Sequence, residues 1–163
     1  MESNRTLCFA ADASLGKLAR WLRILGFDTL FDPKTPFGEF IEHGKRRILL
    51  TRTERIRGKN TSHKLIFITS NNPYEQLREV VQDLGLVPED LRIFSRCIRC
   101  NVSVKPVDKG SIRHSVPDYV WETHDTFRIC DQCRRIYWAG SHAAQSRAIM
   151  NRIFAWENKS DSM

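Results

Sequence analysis

Two sets of residues in this chain have types and spacings that could do chemistry. Cys97-Ile-Arg-Cys100 and Cys130-Asp-Gln-Cys133 are Cys-x-x-Cys pairs with 29 residues between them. Two such pairs deliver four thiolates, the donor set of a closed tetrahedral site for structural Zn²⁺. A redox dithiol or an iron site would use the same residues, and zinc leads because paired knuckles are the mark of a zinc ribbon. The second set gathers on Asp12. An apolar run, Leu7 to Ala11, stops at this carboxylate, and Lys17, Arg20 and Arg23 follow at intervals of three residues. One acid beside a cationic stripe suits a phosphate-bearing substrate handled with a metal ion. The plainer alternative makes Asp12 a helix cap and the cations a solvated face.

The elements that must position these groups follow from hydrophobic period. Leu15, Leu18, Ala19, Leu22 and Leu25 recur at helical spacing and stop at Gly26, so Asp12 stands where a strand hands over to a helix. Asp28 to Phe31, Ile48 to Leu50 and Leu65 to Thr69 read as further strands. A short helix carries Phe40 and Ile41, and another begins at Asn72-Pro73, presents Leu77, Val80, Val81 and Leu84, and closes at Gly85. This alternation predicts an α/β fold whose mostly parallel sheet is flanked by helices. The strand ends, Asp12, Asp32, Thr51 to Glu54 and Ser70 to Asn72, then share the edge at which such sheets bind ligands. Acids clustered there are how a small α/β nuclease holds Mg²⁺ or Mn²⁺ over a phosphodiester. Asp32-Pro33 also reads as a turn former, and Arg55 to Lys64 reads as a polar surface loop.

Composition changes at Phe94, which divides the chain into an α/β domain at 1–93, a four-cysteine zinc ribbon at 94–142 and a C-terminal helix and tail at 143–163. The long segment between the knuckles requires an inserted hairpin or turn within Lys105 to Trp121. Arg96, Arg99, Arg134 and Arg135 surround the knuckles together with Tyr119, Trp121, Phe127, Tyr137 and Trp138. Such a mixture grips phosphate and stacks bases, or supplies the core of a minidomain with little else to bury. His124 and His142 are structural or substrate-contacting, His142 being the better functional candidate. Cys8 reads as a buried small apolar residue.

The formal charge is +7, and residues 1–64 carry 13 basic against 7 acidic groups while 65–93 carry 2 against 5. A positive field concentrated around the Asp12 element attracts nucleic acid or another polyanion. No apolar run reaches the length of a membrane span and no signal-peptide core is present, so a cytoplasmic protein is expected. Reduced cysteines fit that compartment.

The stretches Asp12-Ala-Ser-Leu-Gly-Lys-Leu-Ala-Arg-Trp-Leu-Arg-Ile-Leu-Gly-Phe-Asp-Thr29, Arg47-Ile-Leu-Leu-Thr-Arg52 and Pro73-Tyr-Glu-Gln-Leu77, the paired cysteines and Tyr137-Trp-Ala-Gly-Ser-His142 occur in one order from about Leu7 to His142. Together they resemble the Mut-seven C-terminal RNase domain family. The resemblance implies a PIN-like domain, an α/β fold of metal-dependent ribonucleases, followed by a zinc ribbon. It matches Asp12 to the family's first acid, and where the family usually places Asp after the third strand this chain has Thr53, then Glu54. Asn71 and Asn72 stand where another acid would be sought. The expected activity is metal-dependent cleavage of RNA, with Asp12, Glu54 and Asp32 catalytic around Mg²⁺ or Mn²⁺. Lys17, Arg20, Arg23 and Arg52 would contact RNA, and Cys97, Cys100, Cys130 and Cys133 would hold Zn²⁺. The alternative is a catalytically degenerate RNA-binding or protein-interaction module on the same fold.

Overall fold

The computed structural model describes residues 6–56 and 64–160, the side chains of 141–143 and 155–160 excepted. The expected loop from Arg55 to Lys64 therefore lies largely outside the described residues. The chain divides into two compact units, 1–93 and 94–163.

In the first unit, β1 (Cys8–Ala11), β2 (Asp28–Leu30), β3 (Ile48–Thr51) and β4 (Leu65–Phe67) form a sheet in the order β2-β1-β3-β4, every pair parallel. Parallel neighbours need crossovers: α1 (Gly16–Ile24) joins β1 to β2, α2 (Phe37–His43) joins β2 to β3, and residues 52–64 connect β3 to β4. α3 (Pro73–Leu84) follows β4. The register places Ala10 beside Leu30 and Leu49, and this face packs on Phe40 of α2. Phe9 and Leu50, one residue out of phase, point to the other face and are wholly buried, as the two-residue period of a strand requires. α1 packs against α3, Leu18 and Leu22 on one helix and Leu77 and Val80 on the other are buried, and Trp21 meets Tyr74 edge-on at 5.5 Å. The expected fold class, a parallel sheet flanked by helices, is thus observed.

Local chemistry explains the helix ends that position the site. Asn72 caps α3 by accepting from the N–H groups of Tyr74 and Glu75, with Pro73 at the first helical position. Gly85, at φ +58°, ends it in the left-handed region where a side chain would be strained. At the sheet's opposite edge, Arg47 makes a two-pronged ion pair with Asp28 at 2.6 and 3.1 Å and donates to the Phe9 carbonyl at 3.2 Å. Cys8 is half-buried rather than enclosed, with its sulfur 4.0 Å from the Asp28 carboxylate.

The second unit holds a three-stranded antiparallel sheet, β5 (Lys105–Val107), β6 (Phe127–Ile129) and β7 (Ile136–Tyr137). The segment between the knuckles, expected as a hairpin or turn, folds into β5, a 3₁₀ turn at 109–112 and α4 (Asp118–Thr123). The turn and α4 bury Ile112, Val116 and Val120 on Phe127, a core too small to stand without a staple. α5 spans Ser141–Ser160, and among the described residues no helix is long and apolar enough to cross a membrane.

Candidate functional site

The cysteine centre is built by two knuckles of matching geometry. The N–H of Cys97 donates to Val102 O at 2.7 Å and that of Cys130 to Arg135 O at 3.0 Å, each five residues on. Asn101 N donates to Cys97 O and Arg134 N to Cys130 O, closing each turn, and Asn101 and Arg134 carry φ of 60° and 62°. A non-glycine residue is held there at some cost because the turn must reverse within four residues. As a result the four sulfurs lie within 4.8 Å of one another, Cys97 and Cys130 buried, Cys100 and Cys133 half-buried. That donor set fits tetrahedral Zn²⁺.

Further hydrogen bonds orient these ligands. The Tyr137 hydroxyl donates to Cys97 Sγ at 3.1 Å and accepts from Ile98 N at 3.0 Å, and Cys100 N donates to Cys97 Sγ at 3.3 Å. Burial pushes the Cys97 thiol up, but the donors outweigh it and bring it down to about 6. Cys100 is pushed up to about 12 by burial, by hydrogen bonding with Cys133 and Cys130, and by the charge of Cys97. Tyr137 rises too, from burial first and then from its bond to Cys97.

At the sheet edge, the Asp12 carboxylate accepts five hydrogen bonds. Its Oδ1 accepts from Ser14 N at 2.9 Å and Ser14 Oγ at 2.6 Å. Its Oδ2 accepts from Thr51 Oγ1 at 2.6 Å, Arg52 N at 2.9 Å and, more weakly, Thr53 Oγ1 at 3.4 Å. Burial raises the Asp12 pKa, yet these donors from Ser14, Thr51 and Arg52 hold it below the ordinary value. Asp12 is therefore charged at neutral pH and ties the end of β1 to the end of β3. Residue Leu15, not Asp12, stands at the N-cap of α1.

The other predicted residues fall as follows. Asp32 is exposed and accepts from Lys34 N at 2.8 Å, a turn-forming bond. Glu54 is exposed in the turn after β3. Among the described residues the cysteines are the only His, Cys, Asp or Glu group gathered closely enough for one ion, so Asp12, Glu54 and Asp32 do not converge as a preformed set. Lys17 and Arg20 are exposed on α1. Arg23 is half-buried and donates through Nε to Thr29 O at 3.0 Å, bracing β2. Arg52 hydrogen-bonds Asn71, joining the ends of β3 and β4. His124 bridges backbone carbonyls of Val120 and Ala139 at 3.1 Å each, a structural arrangement. The side chain of His142 lies outside the described residues.

Sequence reasoning passed over two residues that shape this edge. Glu79 accepts from Thr69 N, Thr69 Oγ1 and Ser70 N at 2.8–3.0 Å, and buried Gln76 donates to Ser70 O at 3.0 Å. Their signal is the spacing of polar Asn72, Gln76 and Glu79, which share one helical face with period 3.6. Beside the edge, small Ala10 and Ala11 leave a cavity of about 240 Å³ lined also by Phe31, Asp32, Glu39 and His43.

Comparison with known proteins gives one match. The family model described as the Mut7-C RNAse domain matches residues 7–150. No curated protein and no solved structure matches the chain.

Proposed function

The chain belongs to the Mut7-C RNAse domain family, and from that premise we propose that it acts on RNA, cleaving phosphodiesters at the sheet edge that carries Asp12 while the zinc ribbon helps to hold the strand. The observation that carries this reading is Asp12 itself, a carboxylate kept charged at the ligand-binding edge of a parallel sheet. The functional units are 1–93, the PIN-like nuclease domain, 94–142, the ribbon, and 143–163, the C-terminal helix and tail, in a cytoplasmic protein. Lys17, Arg20 and Arg52 meet phosphates. Arg23 joins them only by leaving the Thr29 carbonyl. Cys97, Cys100, Cys130 and Cys133 hold Zn²⁺ and so staple the small second unit.

The donor set at Asp12 does not fit a preformed site for Mg²⁺ or Mn²⁺. Both oxygens are already occupied by hydrogen-bond donors, and Glu54 and Asp32 are not gathered with them among the described residues. A hard divalent ion needs several oxygen ligands with negative charge. A catalytic ion would therefore require Ser14 or Thr53 to release Asp12 and Glu54 or Asp32 to turn inward.

That saturation favours one second reading, a catalytically degenerate module that binds RNA without cutting it. Here Asp12 is a clamp between β1 and β3. Cleavage of labelled single-stranded RNA by the wild type in Mn²⁺, lost in Asp12→Asn, supports the ribonuclease. Binding that is indifferent to Mn²⁺, with intact RNA, supports the module.

A further inference from the structure

Eight Lys and Arg residues lie between 94 and 140, against five acids. Most of those on the strands and the insertion are matched by a partner. Lys105 pairs with Asp131, Lys109 with Asp125 and Arg113 with Asp118, and Arg96 donates to the Asn101 carbonyl. Lys109 and Arg113 also lie over the Trp121 ring at 4.6 and 4.5 Å. Arg128 and Arg135 differ. Both are exposed, and neither has an ion-pair or side-chain hydrogen-bond partner among the described residues. Neighbouring Arg134 forms no ion pair among the described residues either, although its charge contributes to lowering the pKa of Asp131.

The sheet register brings these two cations together. Arg128 pairs with Tyr137 and Pro106, so the three residues form one row across the sheet. The bond from Cys130 N to Arg135 O continues the β6–β7 ladder, which sets Arg135 opposite Cys130 and two residues from Tyr137. Side chains alternate along a strand, and Phe127, Ile129 and Ile136 face the other way, into the core. Arg128 and Arg135 thus share the sheet face that carries Cys130 and Tyr137 of the cysteine cluster, as exposed diagonal neighbours about 7–8 Å apart. Tyr137 lies between them and is fixed by its bonds to Cys97 and Ile98. Two unmatched guanidinium groups on a rigid platform suit adjacent anionic groups on one flexible chain. A half-buried Tyr137 and exposed Pro106 offer a base a surface to lie on.

We propose that Arg128 and Arg135, exposed and flanking Tyr137 on the cysteine-bearing face of the β5–β6–β7 sheet, are the surface by which the ribbon grips the phosphates of a single RNA strand. The proposal deepens the RNA reading above and rests on it. Geometry gives it a measurable form, because each phosphate contact with a single strand contributes about 0.7 to the slope of log affinity against log salt. Losing both contacts lowers the slope by about 1.4, equivalent to about 25-fold weaker binding at 0.1 M salt relative to an extrapolation at 1 M.

The test measures binding of a labelled single-stranded RNA by the zinc-loaded full chain across salt concentrations. Arg128→Ala/Arg135→Ala should lower the slope by about 1.4, and Arg128→Lys/Arg135→Lys, which keeps both charges, should restore it. Lys105→Gln/Asp131→Asn removes a matched pair without changing net charge and should leave the slope alone. Zinc content is recorded for every variant, and the lysine variant reports on the surface if the alanine variant loses metal. Wild-type binding with a slope that the alanine variant leaves unchanged, or an equal drop in the lysine variant, overturns this surface and spares the RNA reading. Absence of wild-type binding at low salt overturns the RNA reading, and this surface with it.

Discussion

Replacing Asp12 by Asn should destabilise the first unit by an amount that can be worked from its bonds. The carboxylate accepts from two backbone N–H groups, Ser14 and Arg52, and from the hydroxyls of Ser14, Thr51 and Thr53. Asn keeps one acceptor oxygen and presents an NH₂ where the other stood. The hydroxyls of Ser14 and Thr51 can rotate to accept from it, but a backbone N–H cannot. Whichever way the amide is flipped, one of Ser14 N and Arg52 N loses its acceptor. A hydrogen bond to a charged group contributes about 1.5–3 kcal/mol, so the expected loss is about 2 kcal/mol. With an m-value of about 1–2 kcal/mol/M, the urea midpoint of this unit falls by about 1–2 M. Urea unfolding by circular dichroism should show the shift, and amide exchange should localise it to the β1–β3 ladder, where Asp12 N donates to Leu50 O. The pH dependence follows from the lowered pKa. Stabilisation from Asp12 is complete above its unfolded value near 3.8 and is lost as pH falls through the lower folded value. Asp12→Asn removes that part of the acid limb. A midpoint shift under about 0.3 M, with exchange of the Asp12 and Arg52 amides unchanged, would refute this reasoning.

Tyr137→Phe removes the hydroxyl donor to Cys97 and should weaken zinc binding by about tenfold, measured by competition with a chelating dye. Unchanged affinity would mean that the backbone N–H donors of Arg99 and Cys100 suffice. Zinc affinity should rise with pH, since the protonated thiols, Cys100 foremost, must lose protons on binding, and proton release can be followed with a pH indicator. Arg47→Met breaks the ion pair with Asp28 and the bond to Phe9 O, and should cost about 1–3 kcal/mol in urea unfolding. RNA affinity should be unaffected, because Arg47 stands at the sheet edge opposite Asp12; a loss of affinity with no loss of stability would contradict that assignment.

Periodicity made the first unit readable. Leu15, Leu18, Leu22 and Leu25 mark one helical face, Gly26 and Gly85 mark helix ends, and short apolar runs mark strands buried on both faces. Sheet order was not readable, because β1 pairs with both β2 and β3 through contacts distant in the chain. For the same reason the state of Asp12 was hidden, since three of its donors arrive from residues 51–53. The charge of Arg23 was visible in the sequence, but its turn toward Thr29 O depends on how α1 lies over β2. In the second unit the cysteine spacing announced the metal cluster directly. The insertion between the knuckles did not announce α4, a helix of six residues whose apolar contribution to the core is chiefly Val120. Tyr119 beside it stays 68% exposed, so the period never reached the length at which a helical pattern stands out.

The measurement that tests the central claim most directly follows one labelled single-stranded RNA with the zinc-loaded chain as Mn²⁺ is titrated, recording binding and cleavage on the same samples for wild type and Asp12→Asn. Both proteins are assayed at a temperature where each is folded. The ribonuclease reading predicts cleavage that rises with Mn²⁺ in the wild type and is lost in the variant while binding persists. Wild-type binding without cleavage at any Mn²⁺ concentration would contradict it and leave Asp12 as the clamp that joins β1 to β3.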